Sequence, residues 1–311
     1  MAIYLTVDGG TTNTRVYLVK DRVITDSLSV PAGAVNGKEA IGAALRAAVA
    51  EILPRNRIEE TYVSGIIASG MITSESGLCP VPHVPAPAGA KELAANLRTG
   101  SFPDICGIPF LFIPGVILRG DTPENTDVMR GEETELAGIL TRINDPDALY
   151  LLPGSHSKLI EIDGEGRIVR FSTAMTGEIL SAAAEHTILK YSTGFAEAGE
   201  GIREDSLYEG YEACLGYGIN RALFSVRMKK NFFGGSGAEC FGYLLGAVLC
   251  GEINQILASG KRKAVIGGQK RLREATALLL RRFSDMEVAL LSDSDVRSSQ
   301  PLGATGICGV S

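Results

Sequence analysis

The feature that most narrows the fold is a pattern that occurs twice. Tyr4-Leu5-Thr6-Val7 runs into Asp8-Gly9-Gly10-Thr11-Thr12, and Tyr150-Leu151-Leu152 runs into Pro153-Gly154-Ser155-His156-Ser157-Lys158. Each is a short apolar strand that stops at a glycine-bearing turn and resumes as a second strand. The first copy continues through Thr14 to Val19 and then Arg22 to Val30, the second through Leu159 to Ile162 and Arg167 to Ser172. Two such openings, each a run of meandering antiparallel strands, predict one fold used twice. Length agrees, because 311 residues exceed what one hydrophobic core fills, about 250–300 residues.

Between and after these openings the pattern alternates. Ile41, Leu45, Ala48, Val49 and Ile52 have helical spacing, and Pro54 is expected to end that helix; Tyr62 to Ala68 and Phe110 to Ile113 read as strands. Ser69 to Ala90 and Pro114 to Asp127 read as loops, the first a long ordered loop over a cleft. Arg130 to Arg142 reads as a helix, and Asn144 to Asp147 breaks the chain. The second half adds helices from Ser206 to Lys229 and Gly237 to Ser259. A strand Ala264 to Ile266, a helix Lys270 to Phe283, a strand Glu287 to Leu291 and a small-residue segment Gly303 to Gly306 complete it. The fold class is α/β with mixed sheets, divided into lobes 1–145 and 146–311.

Thirty-six acidic against thirty basic residues give a net charge of −6, which excludes a general nucleic-acid or anionic-membrane surface. Any anionic ligand needs a local site. The start, Met1 to Val7, is read as a mature cytoplasmic one, and the most apolar stretch, Phe241 to Leu257, carries Glu252 and Asn254, so it is read as a buried helix. Six cysteines without CxxC spacing are read as reduced structural thiols. A small-molecule substrate is the expected partner, and a homo-oligomer stays open.

Four constellations can carry chemistry. In Asp8-Gly9-Gly10-Thr11-Thr12-Asn13 the glycines let backbone approach a phosphate, hydroxyl and amide groups can donate to it, and Asp8 can hold hydrated Mg²⁺. An ordinary hairpin turn has the same composition. Gly154, Ser155, His156, Ser157 and Lys158 repeat the arrangement, with Lys158 suited to distal phosphates and His156 to phosphate, sugar or a structural hydrogen bond. Met129-Arg130-Gly131-Glu132-Glu133-Thr134 opens a helix. One of its carboxylates can act as general base and Arg130 can pair with a substrate anion; a helix start collecting acids for its dipole, and a surface ion pair, explain the same residues. Gly267-Gly268, between a buried strand and a helix, allow adenosine to lie against backbone.

These motifs in this order resemble the acetate kinase, sugar kinase, heat-shock chaperone and actin superfamily. More closely, the chain is similar to the 2-dehydro-3-deoxygalactonokinase family. The similarity runs through the Asp8 turn, Gly70-Met71-Ile72, Val84-Pro85-Ala86-Pro87-Ala88-Gly89, Pro114-Gly115-Val116, Asp127 to Thr134, Pro153 to Lys158 and Met175-Thr176-Gly177-Glu178. It implies two ribonuclease H-like lobes with five-stranded mixed sheets and a cleft that clamps nucleotide and sugar. It also implies transfer of the ATP γ-phosphoryl group to the 6-hydroxyl of 2-dehydro-3-deoxy-D-galactonate. The alternatives are a kinase for another 2-keto-3-deoxy sugar acid and a non-catalytic actin-like sugar sensor. On the resemblance Glu133 is preferred to Glu132 as base, Arg119 and Arg130 meet the sugar-acid carboxylate, and Met71 borders the sugar. Gly9 stands where many members carry Trp, and the chain has no Trp.

Overall fold

The structure, a computed structural model, describes residues 2–193 and 201–310. β1 (Ile3–Gly9), β2 (Thr14–Lys20) and β3 (Val23–Val30) form the expected antiparallel meander, with Ile3 opposite Lys20 and Gly9 opposite Thr14. β1 is central and almost wholly buried, so it is apolar on both faces, whereas β3 alternates along an exposed edge. α1 (Gly37–Arg55) buries Ile41, Leu45, Ala48, Val49 and Ile52 on one face. It passes Pro54 and ends one residue later, where the Asn56 and Arg57 N–H groups bond back to Leu53 and Pro54 carbonyls.

β4 (Gly65–Gly70) joins β1 in parallel, pairing Asp8 with Ser69 and Gly9 with Gly70. After it come β5 (Val84–Pro85), α2 (Ala90–Ala95), β6 (Arg98–Gly100), β7 (Phe110–Phe112), β8 (Val116–Leu118), β9 (Asp127–Met129) and α3 (Glu132–Leu140). The segments expected as loops thus contribute a small sheet, β5-β8-β9. The main sheet runs β3-β2-β1-β4-β7-β6, six strands rather than five. β6 is the addition, pairing antiparallel with β7, and Phe102 just beyond it packs edge-on against Phe110 and Phe112 at 5.2 and 5.8 Å.

The second sheet, built from β10 (Ala148–Leu152), β11 (Ser157–Ile162), β12 (Ile168–Ala174), β13 (Lys263–Ile266) and β14 (Glu287–Leu290), runs β12-β11-β10-β13-β14. It repeats the first: β11 is antiparallel to β10, β13 parallel to it, and β14 parallel to β13. This is the strand order expected of two ribonuclease H-like lobes. Its helices are α4 (Thr176–His186), α5 (Lys190–Thr193), α6 (Glu204–Tyr217), α7 (Ile219–Phe233), α8 (Gly237–Ala258) and α9 (Lys270–Phe283). Gly218, at φ +76°, divides the expected helix 206–229 into α6 and α7. α8 is the one helix among the described residues long and apolar enough to cross a membrane, yet most of it is buried in the core with Leu207, Tyr211 and Leu280.

The chain forms two compact units, one of Met1–Pro146, Glu161–Phe171 and Asp293–Ser311, the other of Asp147–Ile160 and Ser172–Ser292. A single boundary after residue 145 does not describe the two returns to the first unit. In one, Ile168 and Ala88 exchange backbone hydrogen bonds of 2.8 and 3.1 Å. In the other, the small-residue segment at 303–306 is part of a helix, α10 (Asp293–Ile307), which packs on α3. A Cβ on Gly138 would lie 1.8 Å from the Ser299 carbonyl oxygen, and one on Gly303 1.9 Å from that of Thr134, so the two helix backbones touch. From α10 the buried Gln300 amide donates to Ser69 Oγ at 3.0 Å and to the Val7 carbonyl at 3.4 Å.

Gly303→Ala is therefore expected to lower the unfolding free energy by about 3 kcal/mol through overpacking. Gly306→Ala, at which a Cβ meets nothing within 4 Å, should be neutral or stabilising. Urea titration of both variants checks the contrast.

Candidate active site

In the first unit the site is assembled by three glycines. A Cβ on Gly9 would sit 2.6 Å from Ile72 Cβ, and one on Gly70 2.6 Å from the Gly9 carbonyl oxygen. A Cβ on Gly131 would sit 3.1 Å from Gly70 Cα. Gly70 and Gly131 also have φ of +82° and +115°, a region L side chains rarely adopt. The ends of β1 and β4 and the start of α3 thereby converge, which brings Asp8, Met71 and the Glu132-Glu133 pair into one neighbourhood.

The loop after Asp8 is closed by Gly10 N–H donating to the Asn13 carbonyl at 2.9 Å. Its other carbonyls are engaged from behind: Ala34 N–H donates to Gly10 O at 3.1 Å and Val35 N–H to Thr11 O at 3.0 Å. Thr11, Thr12 and Asn13 are exposed, which leaves hydroxyl and amide donors facing solvent. Asp8 accepts from Arg15 Nη1 at 3.2 Å and keeps 25% of its side chain exposed. Desolvation raises the Asp8 carboxyl from its ordinary value, the Arg15 guanidinium opposes this, and the Glu132 charge adds to it.

The two glutamates have different surroundings. Glu133 is 1% exposed, and its carboxylate accepts from the Gly131 N–H at 2.7 and 2.9 Å and from Thr134 Oγ1 at 3.0 Å. Burial, reinforced by the Glu132 charge, pushes it up to about 7 against those hydrogen bonds. Glu132 is partly exposed and accepts from the Arg130 N–H at 3.0 Å.

Arg130 does not present a free guanidinium to a ligand. Its Nη1 donates to the Thr73 carbonyl and hydroxyl at 2.7 and 2.6 Å, and its Nη2 donates to the Val81 carbonyl at 3.0 Å. It pins the segment from Thr73 to His83, and with burial it holds His83 below the ordinary imidazole value. Arg119, by contrast, is exposed just beyond β8.

In the second unit the turn before β11 is backed by the start of α4. Gly177 N–H donates to Gly154 O at 3.1 Å and Glu178 N–H to Ser155 O at 3.3 Å, and a Cβ on Gly177 would lie 2.5 Å from Gly154 O. His156, exposed with Ser155, pairs through Nε2 with Glu178 Oε1 at 3.0 Å. Ser157 and Lys158 fall on the other side of the expectation: both belong to β11 and are buried, Lys158 at 4% exposure. The role of Gly177 and Glu178 in holding the turn was visible only as a motif with no assigned task.

Gly267 and Gly268 press against β10 and Pro153: Gly267 N–H donates to Leu151 O at 2.9 Å, and a Cβ on Gly268 would lie 2.3 Å from Pro153 O. Neither lines the nearby cavity of about 340 Å³, which is bordered by Ile202, Arg203, Lys230, Phe241, Leu245 and Arg271, with Arg271 on the helix that this turn opens. The Arg271 guanidinium lies 5.1 Å from the Phe241 ring centre, so the cavity combines apolar wall with cations.

The sequence and the fold are matched by known proteins. A profile of the 2-keto-3-deoxy-galactonokinase family fits residues 8–298. The 2-dehydro-3-deoxygalactonokinase of Escherichia coli K12 is 32% identical over 233 residues, covering 73% of this chain and 70% of that one. A crystal structure from Sinorhizobium meliloti, provisionally described as a 2-dehydro-3-deoxygalactonokinase, matches with a TM-score of 0.79 at 25% identity, over 98% of this chain and 96% of that one. The activator of the 2-hydroxyisocaproyl-CoA dehydratase from Clostridium difficile, with bound ADPNP, shares the fold alone, at a TM-score of 0.53 and 11% identity over 97% and 92% of the two chains. Since the profile extends from the Asp8 turn into α10, through both lobes, the chain belongs to the 2-keto-3-deoxy-galactonokinase family.

Proposed function

We propose that this chain transfers the γ-phosphoryl group of ATP to the 6-hydroxyl of 2-dehydro-3-deoxy-D-galactonate, in the cytoplasmic breakdown of galactonate or galactose. Within a chain of this family, the reading is carried by the convergence of a donor-rich loop, Asp8 and the Glu132-Glu133 helix start at Gly9, Gly70 and Gly131. Phosphoryl transfer asks little covalent chemistry of a protein; positioning and charge stabilisation supply most of the rate.

The unit that carries the Asp8 turn then binds the sugar acid and offers phosphate donors through Thr11, Thr12 and Asn13. Arg119 takes the substrate carboxylate, and Met71 supplies an apolar contact. The second unit offers Gly154, Ser155 and a His156 oriented by Glu178 as phosphate donors, and its cavity beside Arg271 and Phe241 takes the adenosine. The reaction class implies a divalent cation. Asp8, a single carboxylate beside hydroxyls, fits Mg²⁺, which keeps most of its waters and uses one or two carboxylates plus phosphate. Bound there through water, the cation would neutralise phosphate charge.

For the proton of the attacking hydroxyl we favour Glu132 over Glu133. A base must reach its substrate. Glu132 is partly exposed and its charge is felt at Asp8, whereas Glu133 is buried and holds the backbone of Gly131. Glu133 is thus a rigid mount for its neighbour.

With ATP and Mg²⁺, the purified chain is expected to release ADP on 2-dehydro-3-deoxy-D-galactonate and to place phosphate on O6, seen by ³¹P NMR. No ADP release on any 2-keto-3-deoxy sugar acid would overturn the reading. Glu132→Gln should lower kcat by about 10²–10⁴-fold with the KM for ATP nearly unchanged, and Glu133→Gln should do much less.

Glu133 also predicts a pH effect. Its folded value of about 7 lies above its ordinary 4.5, so the stability its protonated form supports is complete below about pH 4.5 and is lost as pH rises through about 7. Glu133→Gln, which stays neutral, should flatten the fall in Tm across that window. Parallel Tm profiles for the two proteins would show that Glu133 does not titrate there.

A further inference from the structure

Glu252 is a carboxylate in an apolar place. It lies on α8, 4% exposed, next to the fully buried Ile253 and one turn from Leu249. Burying an ionisable group there is unfavourable unless it is paired, hydrogen-bonded or neutralised. Its Oε2 accepts from Thr176 Oγ1 at 2.5 Å, and the Ser157 hydroxyl lies close enough to the same carboxyl to oppose the effect of burial on it. Its Oε1 has no hydrogen-bond partner among the described residues.

Those two hydroxyls belong to the two pieces of chain that make the second phosphate turn. Ser157 closes the turn, its Oγ accepting from Gly154 N–H at 3.4 Å. Thr176 begins α4, whose next two N–H groups hold the Gly154 and Ser155 carbonyls and whose Glu178 orients His156. We propose that Glu252 is a positioning residue for ATP: its carboxyl ties the turn to the start of α4, so that the distal phosphates meet donors already in place. The proposal rests on the reading that this turn binds phosphate. Burial raises Glu252 from its ordinary value against the pull of the two hydroxyls.

The test compares Glu252→Ala, Glu252→Gln, Thr176→Val and Ser155→Asp in steady-state kinetics, with Tm recorded for each. Glu252→Ala is expected to raise the KM for ATP about tenfold, with the KM for the sugar acid and kcat at saturating ATP changed less than about twofold. Glu252→Gln still accepts from Thr176 and should bring the KM for ATP back to within about threefold of wild type. A purely structural role would lower Tm without separating the two substrates. A folded Glu252→Ala enzyme with the wild-type KM for ATP overturns the proposal, as does an equal loss in the Gln and Ala variants. If Glu252→Ala does not fold, Thr176→Val decides: an ATP-specific rise supports the proposal, and an unchanged KM for ATP overturns it. Ser155→Asp separates the two levels. If this added carboxylate leaves the KM for ATP unchanged, the phosphate reading of the turn fails and the proposal with it. If it weakens ATP while Glu252→Ala does not, only the proposal fails.

Discussion

Where β1, β4 and α3 end against one another, backbone meets backbone, and a single methyl group at Gly9 or Gly70 would collide with its neighbour. The same device recurs behind this point, at Gly138 and Gly303, where α3 and α10 cross with no side chain between them. Gln300 then ties α10 to the strands that carry Asp8 and Gly70. The Asp8 carboxyl and the helix start with Glu132 are thus fixed by secondary structure on several sides rather than by loops. Phosphoryl transfer benefits from this, since its groups must be held within about half an ångström of the productive geometry.

That frame has to accommodate charge of one sign. The chain is acidic, and both of its proposed ligands are anions. The carboxyls around the two turns respond in a consistent way: desolvation raises Asp8, Glu133 and Glu252 from their ordinary values. Arg15 at Asp8, and Lys230 and Arg271 at the second unit's cavity, add local positive charge where the net charge does not.

Much of this was legible because it depends on local pattern. The apolar runs and glycine-bearing turns of residues 3–30 and 148–174 specify both meanders, and their recurrence specifies a repeated sheet. What escaped depends on partners far away in sequence. α10 is rich in Ser, Gly, Pro and Thr and lacks an apolar stripe; it is helical because Gly303 and Gly138 let it lie directly on α3. From sequence Arg130 reads as a partner for a substrate anion because its acceptors, the carbonyls of Thr73 and Val81, are backbone atoms that no motif displays. Lys158 looked like a turn lysine, yet antiparallel pairing with Leu152 makes it a strand residue. In the sequence Glu252 shows only as a charge that argues against α8 as a membrane span, because its partner Thr176 lies 76 residues away.

The two turns differ in sequence, Thr11-Thr12-Asn13 against Ser155-His156-Ser157, but they are backed in the same way. In each unit the chain leaving the third strand of the meander passes a glycine and sends two N–H groups onto the turn's carbonyls. Ala34 and Val35 bond Gly10 and Thr11; Gly177 and Glu178 bond Gly154 and Ser155. The glycine is needed for contact, because a Cβ on Gly33 would lie 2.4 Å from Thr11 O and one on Gly177 2.5 Å from Gly154 O. With those acceptors engaged, the exposed residues of each turn still carry groups able to donate: hydroxyls, the Asn13 amide and the His156 ring. The carbonyls of each turn are thus engaged by the backing rather than by any one side chain, which lets the turn sequences diverge while the backbone task stays the same.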